Sequence, residues 1–548
     1  MNLMVPRDER MKRRDFLAAI GRSVGGTAML RVMTAIGVGT TVAGCGSSSA
    51  SGNGGNAPNP PPPPGPSGIV SPRPGDWPAG VGTGRSVVIL GAGIAGMTTA
   101  LEMTRLGYDC TLLEATPRAG GRNRTIRSAD IVAETDATQV CQFDPDDTLY
   151  FNPGPARIPH HHEFLLGYCR EFGVALEPFI NDNRAALLHS PSGFGGVPQV
   201  ARRVRTDTRG YIAELLATAI NGNALDQELT AADRANVLAM LRQFGDLGGG
   251  DAYAGSSRAG FPGQENTGSR NRGQLLAPLP LADLVREAFW QQRVSFAEDF
   301  EQQATMLQPV GGMDRIAAAF ESQVLADITY EAVVSEIRKT AGGARVVYSV
   351  RGGAAQSLDA DYCVCTIPAT VLRNIATDFS ASHASAIANF VYTPAAKLAF
   401  QSRRFWEQDH NIYGGISWTT QDMTQMWYPN SNFGAANGIV VGSYIFGGAA
   451  GTRFAARTPQ QRIDTTMAQA ASLHPALTGE ATRGISVAWS KVPFQLGAWG
   501  TSTPGVLLDA DDSLFLAGEH LSILQGWQEG AILSAYHAID GIVTRDSA

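Results

Sequence analysis

Lysine is almost missing from this chain. Of 43 basic residues only Lys12, Lys339, Lys397 and Lys491 are lysine, and the rest are arginine. The 50 acidic residues outnumber the basic ones and leave a formal net charge of −7. No global basic excess therefore recommends nucleic acid or an anionic membrane surface as a partner. Cysteine is scarce as well. Six in 548 residues, at positions 45, 110, 141, 169, 363 and 365, form no disulfide scaffold, and none are spaced as CxxC or as a zinc site. The uncharged run that follows Arg31 is too short to span a bilayer. No internal repeat is evident. What the chain does have is apolar material: 44% hydrophobic against 17% charged residues excludes wholesale disorder and supplies a large core. The length predicts several domains, or one large fold with an insertion.

The N-terminus reads as an address. Lys12-Arg13-Arg14-Asp15-Phe16-Leu17 is a twin-arginine export signature, followed by a weakly apolar stretch rich in Gly, Ala and Thr. The stretch ends in Val42-Ala43-Gly44-Cys45, which resembles a bacterial lipobox. That reading cuts the chain before Cys45, acylates it and anchors the protein to a membrane; ordinary cleavage without lipid is the alternative. The twin-arginine export machinery carries folded cargo. The expected location is the periplasmic or extracellular face. From Gly46 to about Gly84 the chain is mostly Gly, Ser, Asn and Pro with a proline run, Pro60 to Pro64, and reads as a tether.

The first globular element has the pattern of a dinucleotide site. Ser86-Val87-Val88-Ile89-Leu90 is a short buried-strand run, and Gly91-Ala92-Gly93-Ile94-Ala95-Gly96 follows at once. An apolar-periodic helix then runs to Leu106, Gly107 is a plausible C-cap, and a strand from Cys110 to Leu113 ends in Glu114. Gly91 makes the tight turn, and Gly93 lets backbone approach a pyrophosphate at the helix N-terminus beside Ile94 and Ala95. Gly96 allows close helix–strand packing. Glu114 stands where a ribose hydroxyl is held. A lone GxGxxG is weak; the whole unit is specific. It does not choose between NAD and FAD, but Arg118-Ala119-Gly120-Gly121-Arg122 behind the acid favours FAD. Gly121 allows phosphate close to backbone, and Arg122 can neutralise it.

On these motifs the chain resembles the flavin-containing amine oxidase superfamily over about residues 85–545. The closest likeness is to bacterial FAD-dependent L-amino-acid oxidases. A second anchor is C-terminal: Leu514-Phe515-Leu516-Ala517-Gly518-Glu519 and Gly526-Trp527-Gln528-Glu529-Gly530-Ala531. The resemblance implies that Glu519 meets the ribityl chain, that Gly518 lies beside the cofactor and that the next helix points its N-terminus at the flavin ring. Gln308-Pro309-Val310-Gly311-Gly312-Met313-Asp314 resembles the loop re-entering the FAD domain. Val334 fits a strand whose backbone meets adenine, and residues 361–368 fit the returning strand. Gly154-Pro155-Ala156-Arg157-Ile158-Pro159 resembles a segment whose Arg pairs with a substrate α-carboxylate, a group an Arg fork fits bidentately. Gly154 and Arg157 also stand beside the cofactor in that likeness. Ala396-Lys397-Leu398-Ala399-Phe400 and Phe405-Trp406-Glu407 resemble the substrate-domain strand. Trp427-Tyr428-Pro429-Asn430 matches a segment whose tyrosine contacts the same carboxylate, and Tyr428 takes that part. Trp499 and Trp527 fall where two aromatics flank the flavin.

Two departures matter. Leu496-Gly497-Ala498-Trp499 has no flavin-linking Cys, so FAD should be noncovalent. A family lysine that holds a water at the flavin often precedes the re-entry loop; Gln308 is its best match, with no Lys near in sequence. His160-His161-His162 has no matching second cluster and reads as a helix-start surface run, so no metal is expected.

The expected fold is α/β: a Rossmann-like FAD-binding domain, a mixed-sheet substrate domain and an inserted helical region. Its expected parts are a signal segment (1–45), a linker (46–84), FAD-binding pieces (85–157, 306–372 and 501–548), the inserted region (158–305) and the substrate domain (373–500). The implied reaction is oxidation of an L-amino acid to the 2-oxo acid, ammonia and hydrogen peroxide with O2 as acceptor. An amine or polyamine oxidase, an amino-acid monooxygenase and a lipid-anchored dehydrogenase reducing a quinone stay open, as does a homodimer.

Overall fold

The structure is a computed structural model that describes residues 72–224, 229–261, 270, 273–287 and 293–548. The twin-arginine segment, Cys45 and the proline run lie outside the described residues. The chain divides into two compact units, one built on Pro61–Asp182 with Glu301–Ala548 and one on Asn183–Phe300. Among the described residues no helix is long and apolar enough to cross a membrane.

The larger unit is organised around a five-stranded parallel sheet. Its strands run Ile328–Thr329, Asp109–Leu113, Ser86–Leu90, Tyr362–Cys365 and Leu514–Leu516 across the sheet. Ser86–Leu90 reads as a continuous apolar run because both of its faces are covered. Val87 and Ile89 enter one core with the helices Ile94–Arg105, Asp314–Val324 and Gln528–Asp546. Val88 and Leu90 enter another, against Val346 and Ile337 of a four-stranded sheet that includes Ala332–Thr340, Gly343–Val350 and Ala355–Ala360. Burying each such side chain contributes about 1.5–3 kcal/mol. The helix Ile94–Arg105 ends as its sequence suggests, with Gly107 in the left-handed region at φ 93°.

Two further sheets of this unit carry side chains of interest. Five strands, Thr482–Ala488, Ala396–Arg403, Asn437–Ile445, Gln425–Trp427 and Ile416–Thr419, pair antiparallel in that order. Every residue of Ala396–Ser402 is buried, so this strand too is enclosed on both sides. A small antiparallel sheet places Met306–Pro309 between Ile158–Pro159 and Leu176–Phe179. In the smaller unit the helices Ala201–Asn221 and Ala231–Gly245 pack through Ala213, Ala217, Ile220 and Leu241. Thr230 and Asp233 form a capping box on the second.

Candidate active site

The glycine-rich turn after Ser86–Leu90 is shaped by close approach. Gly91 has φ 101°, and a Cβ at Gly96 would stand 1.9 Å from the Gly91 carbonyl oxygen, so the helix meets the strand only through glycine. A Cβ at Gly93 would meet nothing within 4 Å. The space before Ile94 and Ala95 is open, and Gly93 caps the helix with no side-chain hydrogen bond. That leaves helix N–H groups available to a phosphate. Gly120 N–H donates to the Ala92 carbonyl at 2.8 Å, bringing Gly121 to the same turn. Glu114 ends the second strand and accepts from the amides of Ala92 and Thr116, each at 2.8 Å. Its carbonyl accepts from Ala332 N–H, which brings in the strand bearing Val334. Arg118 is tied to the Gly121 carbonyl at 2.9 Å, and burial pulls its guanidinium down to about 10.

Arg122 ties the cradle to the far end of the chain. It donates to Glu519 at 2.7 Å and to the Ala498 carbonyl at 2.6 Å. Glu519 accepts in turn from Gly526 N–H at 2.8 Å, one residue before Trp527, the N-cap of Gln528–Asp546. Gly518, at φ 142°, donates its N–H to Ser534. Three segments far apart in sequence thus meet around one open glycine cradle with carboxylate, guanidinium and helix-terminus groups. This set fits FAD.

Next to the cradle lies a cationic, aromatic-walled site. Gly154 is wedged: a Cβ there would stand 2.1 Å from the Arg122 carbonyl oxygen and 3.3 Å from the Trp489 ring. The turn it permits delivers Arg157, 7% exposed, over the Trp427 ring at 4.7 Å and the Phe179 ring at 5.9 Å. Burial lowers its guanidinium to about 10, still protonated at neutral pH. Lys397 rises from the strand Ala396–Arg403, donates to the carbonyls of Gly154 at 2.6 Å and Asn152 at 3.2 Å, and stands 4.4 Å from the Tyr444 ring. Its pKa lies well below the ordinary lysine value, from burial first and the neighbouring Arg157 charge second. Ring contacts then run Trp427–Tyr444 at 5.0 Å, Tyr444–Phe446 at 4.5 Å and Phe446–Trp499 at 6.5 Å. Gly526 lies against the Trp499 indole, which brings this end of the ladder to the segment that carries Trp527.

Three sequence expectations change here. Tyr428 faces away from Arg157: its hydroxyl is bonded to Ser417 Oγ and His474 Nε2, each at 2.6 Å. Adjacent strand residues point to opposite faces, and the one that faces Arg157 is Trp427. Its indole N–H is taken by Gln425 at 2.7 Å, so the hydroxyl nearest Arg157 in this ladder belongs to Tyr444, on the neighbouring strand. Gln308 donates to Glu177 at 2.7 Å within the small sheet, and the lysine buried beside Arg157 is Lys397, 89 positions further on. The histidine triplet does start a helix and His160 is exposed, but His162 is 1% exposed and so is no surface residue. Sequence reasoning also missed His520, which burial holds near a pKa of about 4, neutral between Phe390 and Tyr392.

This combination of a dinucleotide cradle and a closed aromatic cationic site is that of a flavoprotein oxidoreductase. The family described as flavin containing amine oxidoreductase matches residues 94–542, and the chain belongs to it, with FAD as cofactor. Among its relatives is an L-amino-acid oxidase of Echis ocellatus, 25% identical over 484 residues that cover 83% of this chain and 88% of that protein. A flavin-dependent L-tryptophan oxidase of Lentzea aerocolonigenes is 26% identical over 500 residues, covering 84% and 98%. Among solved structures, cyclohexylamine oxidase from Brevibacterium oxydans IH-35A superimposes with a TM-score of 0.55 at 16% identity, over 85% of this chain and all of that one.

Proposed function

We propose that the enzyme oxidises the Cα–N bond of an L-α-amino acid. The imino acid is hydrolysed to the 2-oxo acid and ammonia, and dioxygen is reduced to hydrogen peroxide. The observation that carries this reading is Arg157, a buried, protonated guanidinium between aromatic rings, with Lys397 as a second buried amine beside it. FAD, when bound, supplies the hydride acceptor. The chain's own residues orient and desolvate. Arg157 grips the carboxylate with two N–H groups, and the Tyr444 hydroxyl adds a third donor. Burial pushes that hydroxyl up to about 12, so it keeps its proton. Trp427, Phe446 and Trp499 exclude water, and Trp499 with Trp527 confine the reacting carbon. Lys397, held by two carbonyls and with its pKa depressed, takes the part of the family lysine that fixes a water at the flavin. No obligatory base is assigned, because a neutral amine gives up hydride without one. The names of the relatives as L-amino-acid oxidases support the substrate class.

A peroxide-coupled screen of the twenty amino acids and common amines on purified holoenzyme tests the reading. The L-amino acids should lead. Peroxide from decarboxylated amines but not from amino acids would move the assignment to a plain amine oxidase, and an amide product would move it to a monooxygenase. Turnover only with a quinone would mark a dehydrogenase. The same reading places the mature enzyme outside the cytoplasm, exported folded through Arg13-Arg14 and tethered at Cys45.

A further inference from the structure

We propose that His161, His162 and Glu301 form a binding site for one divalent cation of the zinc type, beside Trp527. The two histidines precede the helix Glu163–Glu171, while Glu301 lies 139 residues after His162 and opens the return of the chain into the larger unit. Their ligand atoms all lie within 4.8 Å of one another. Both imidazole Nε2 atoms stand 3.2 Å from the same carboxylate oxygen, Glu301 Oε2. That spacing suits an ion. Zinc binds His N and carboxylate O at about 2.0–2.2 Å in tetrahedral geometry, which puts neighbouring ligand atoms roughly 3.3–3.5 Å apart. A cation could enter with small shifts of side chains already converged.

The donor set selects the class. Two imidazoles and one carboxylate suit zinc, copper(II) or nickel and not the all-oxygen preference of calcium or magnesium. Without a cation, both Nε2 atoms crowd one carboxylate oxygen; with one, both rings turn their Nε2 lone pairs inward. Access is graded: His162 is 1% exposed at the side chain, His161 20% and Glu301 30%, so one side stays open to an entering ion and its fourth ligand, a water. His162 meets the Trp527 ring edge-on at 5.2 Å, which couples an occupied site to that indole.

The site does not depend on which amine the enzyme oxidises, and its test reads metal directly. Holoenzyme is stripped with EDTA, equilibrated with micromolar zinc chloride, desalted and assayed for zinc by mass spectrometry, with flavin absorbance as the control for folding. Wild type should carry one zinc per chain. Loss of outer-shell partners alone typically weakens a metal site about 10–100-fold. Removing two ligands in His161→Ala/Glu301→Gln should therefore weaken zinc binding by more than about 100-fold, while flavin stays bound. Glu301→Asp, which keeps the carboxylate, should retain part of the affinity, and zinc should perturb indole fluorescence in wild type but not in the double variant. A wild type that takes up no zinc, or a flavin-loaded double variant that holds as much as wild type, overturns the proposal.

Discussion

Replacing Arg157 separates an amino-acid oxidase from an oxidase of plain amines. The guanidinium is 7% exposed, its ring contacts are apolar, and it stays charged at neutral pH because burial lowers it only to about 10. A substrate carboxylate paired with it is equally cut off from water. Truncating one member of such a pair strands the other charge and costs about 2–5 kcal/mol. On kcat/KM that is a loss of roughly 30- to several-thousand-fold, at about 1.4 kcal/mol per decade. Arg157→Ala also opens a space beside Trp427, so Arg157→Met is the better control: it keeps most of the volume and removes the charge. Arg157→Lys should recover only part of the loss, since a point charge cannot reproduce the fork. The assay is steady-state peroxide production from the best amino acid and from its decarboxylated amine, on preparations matched for flavin content. The amine, having no carboxylate to strand, should be affected far less. If Arg157→Met oxidises the amino acid at near wild-type efficiency, the arginine is structural and the substrate assignment fails.

Tyr444→Phe should raise KM for the amino acid by roughly 10- to 150-fold, the worth of a donor hydrogen bond to a charged group at about 1.5–3 kcal/mol. Tyr428→Phe should leave KM unchanged and lower the melting temperature, because its hydroxyl serves Ser417 and His474; the reverse pattern would reinstate Tyr428. With Ala498 where a flavin-linking Cys would stand, acid precipitation should release yellow FAD into the supernatant, and flavin left in the pellet would contradict this. His520 is held near 4 when folded against about 6.5 unfolded, so the unfolded state binds the extra proton. Its stabilising effect is complete above pH 6.5 and is lost as pH falls toward 4, on the order of 3 kcal/mol. Melting curves of His520→Gln should therefore fall less steeply over that window, and parallel slopes would argue against it. Changing Arg13 and Arg14 to lysine should leave active protein in the cytoplasm, and Cys45→Ala should move it from the detergent fraction to the soluble one. Unchanged fractionation of both would remove the export reading.

The glycine cradle was legible because its requirements are local. Strand, turn, helix, strand and acid follow one another between Ser86 and Glu114; Gly91 answers to its own positive φ and Gly96 to the Gly91 carbonyl five residues before it, although Thr366 also crowds Gly91 from far along the chain. The wedge at Gly154 and the arginine it delivers were likewise visible as one short segment, although the Arg122 carbonyl that demands the glycine was not. Facing was another matter. Gln425–Trp427 and Ala396–Ser402 are buried on both sides, so no alternation of polar and apolar residues reveals which side chain looks at Arg157. Only the register of the folded sheet turns Trp427 and Tyr444 toward it, sends Tyr428 to His474, and lifts Lys397 to the Gly154 carbonyl. The histidine cluster is the extreme case: two of its members are adjacent in the chain, but the carboxylate that joins them arrives from beyond an entire inserted unit, and long-range closure of that kind leaves no mark on local sequence.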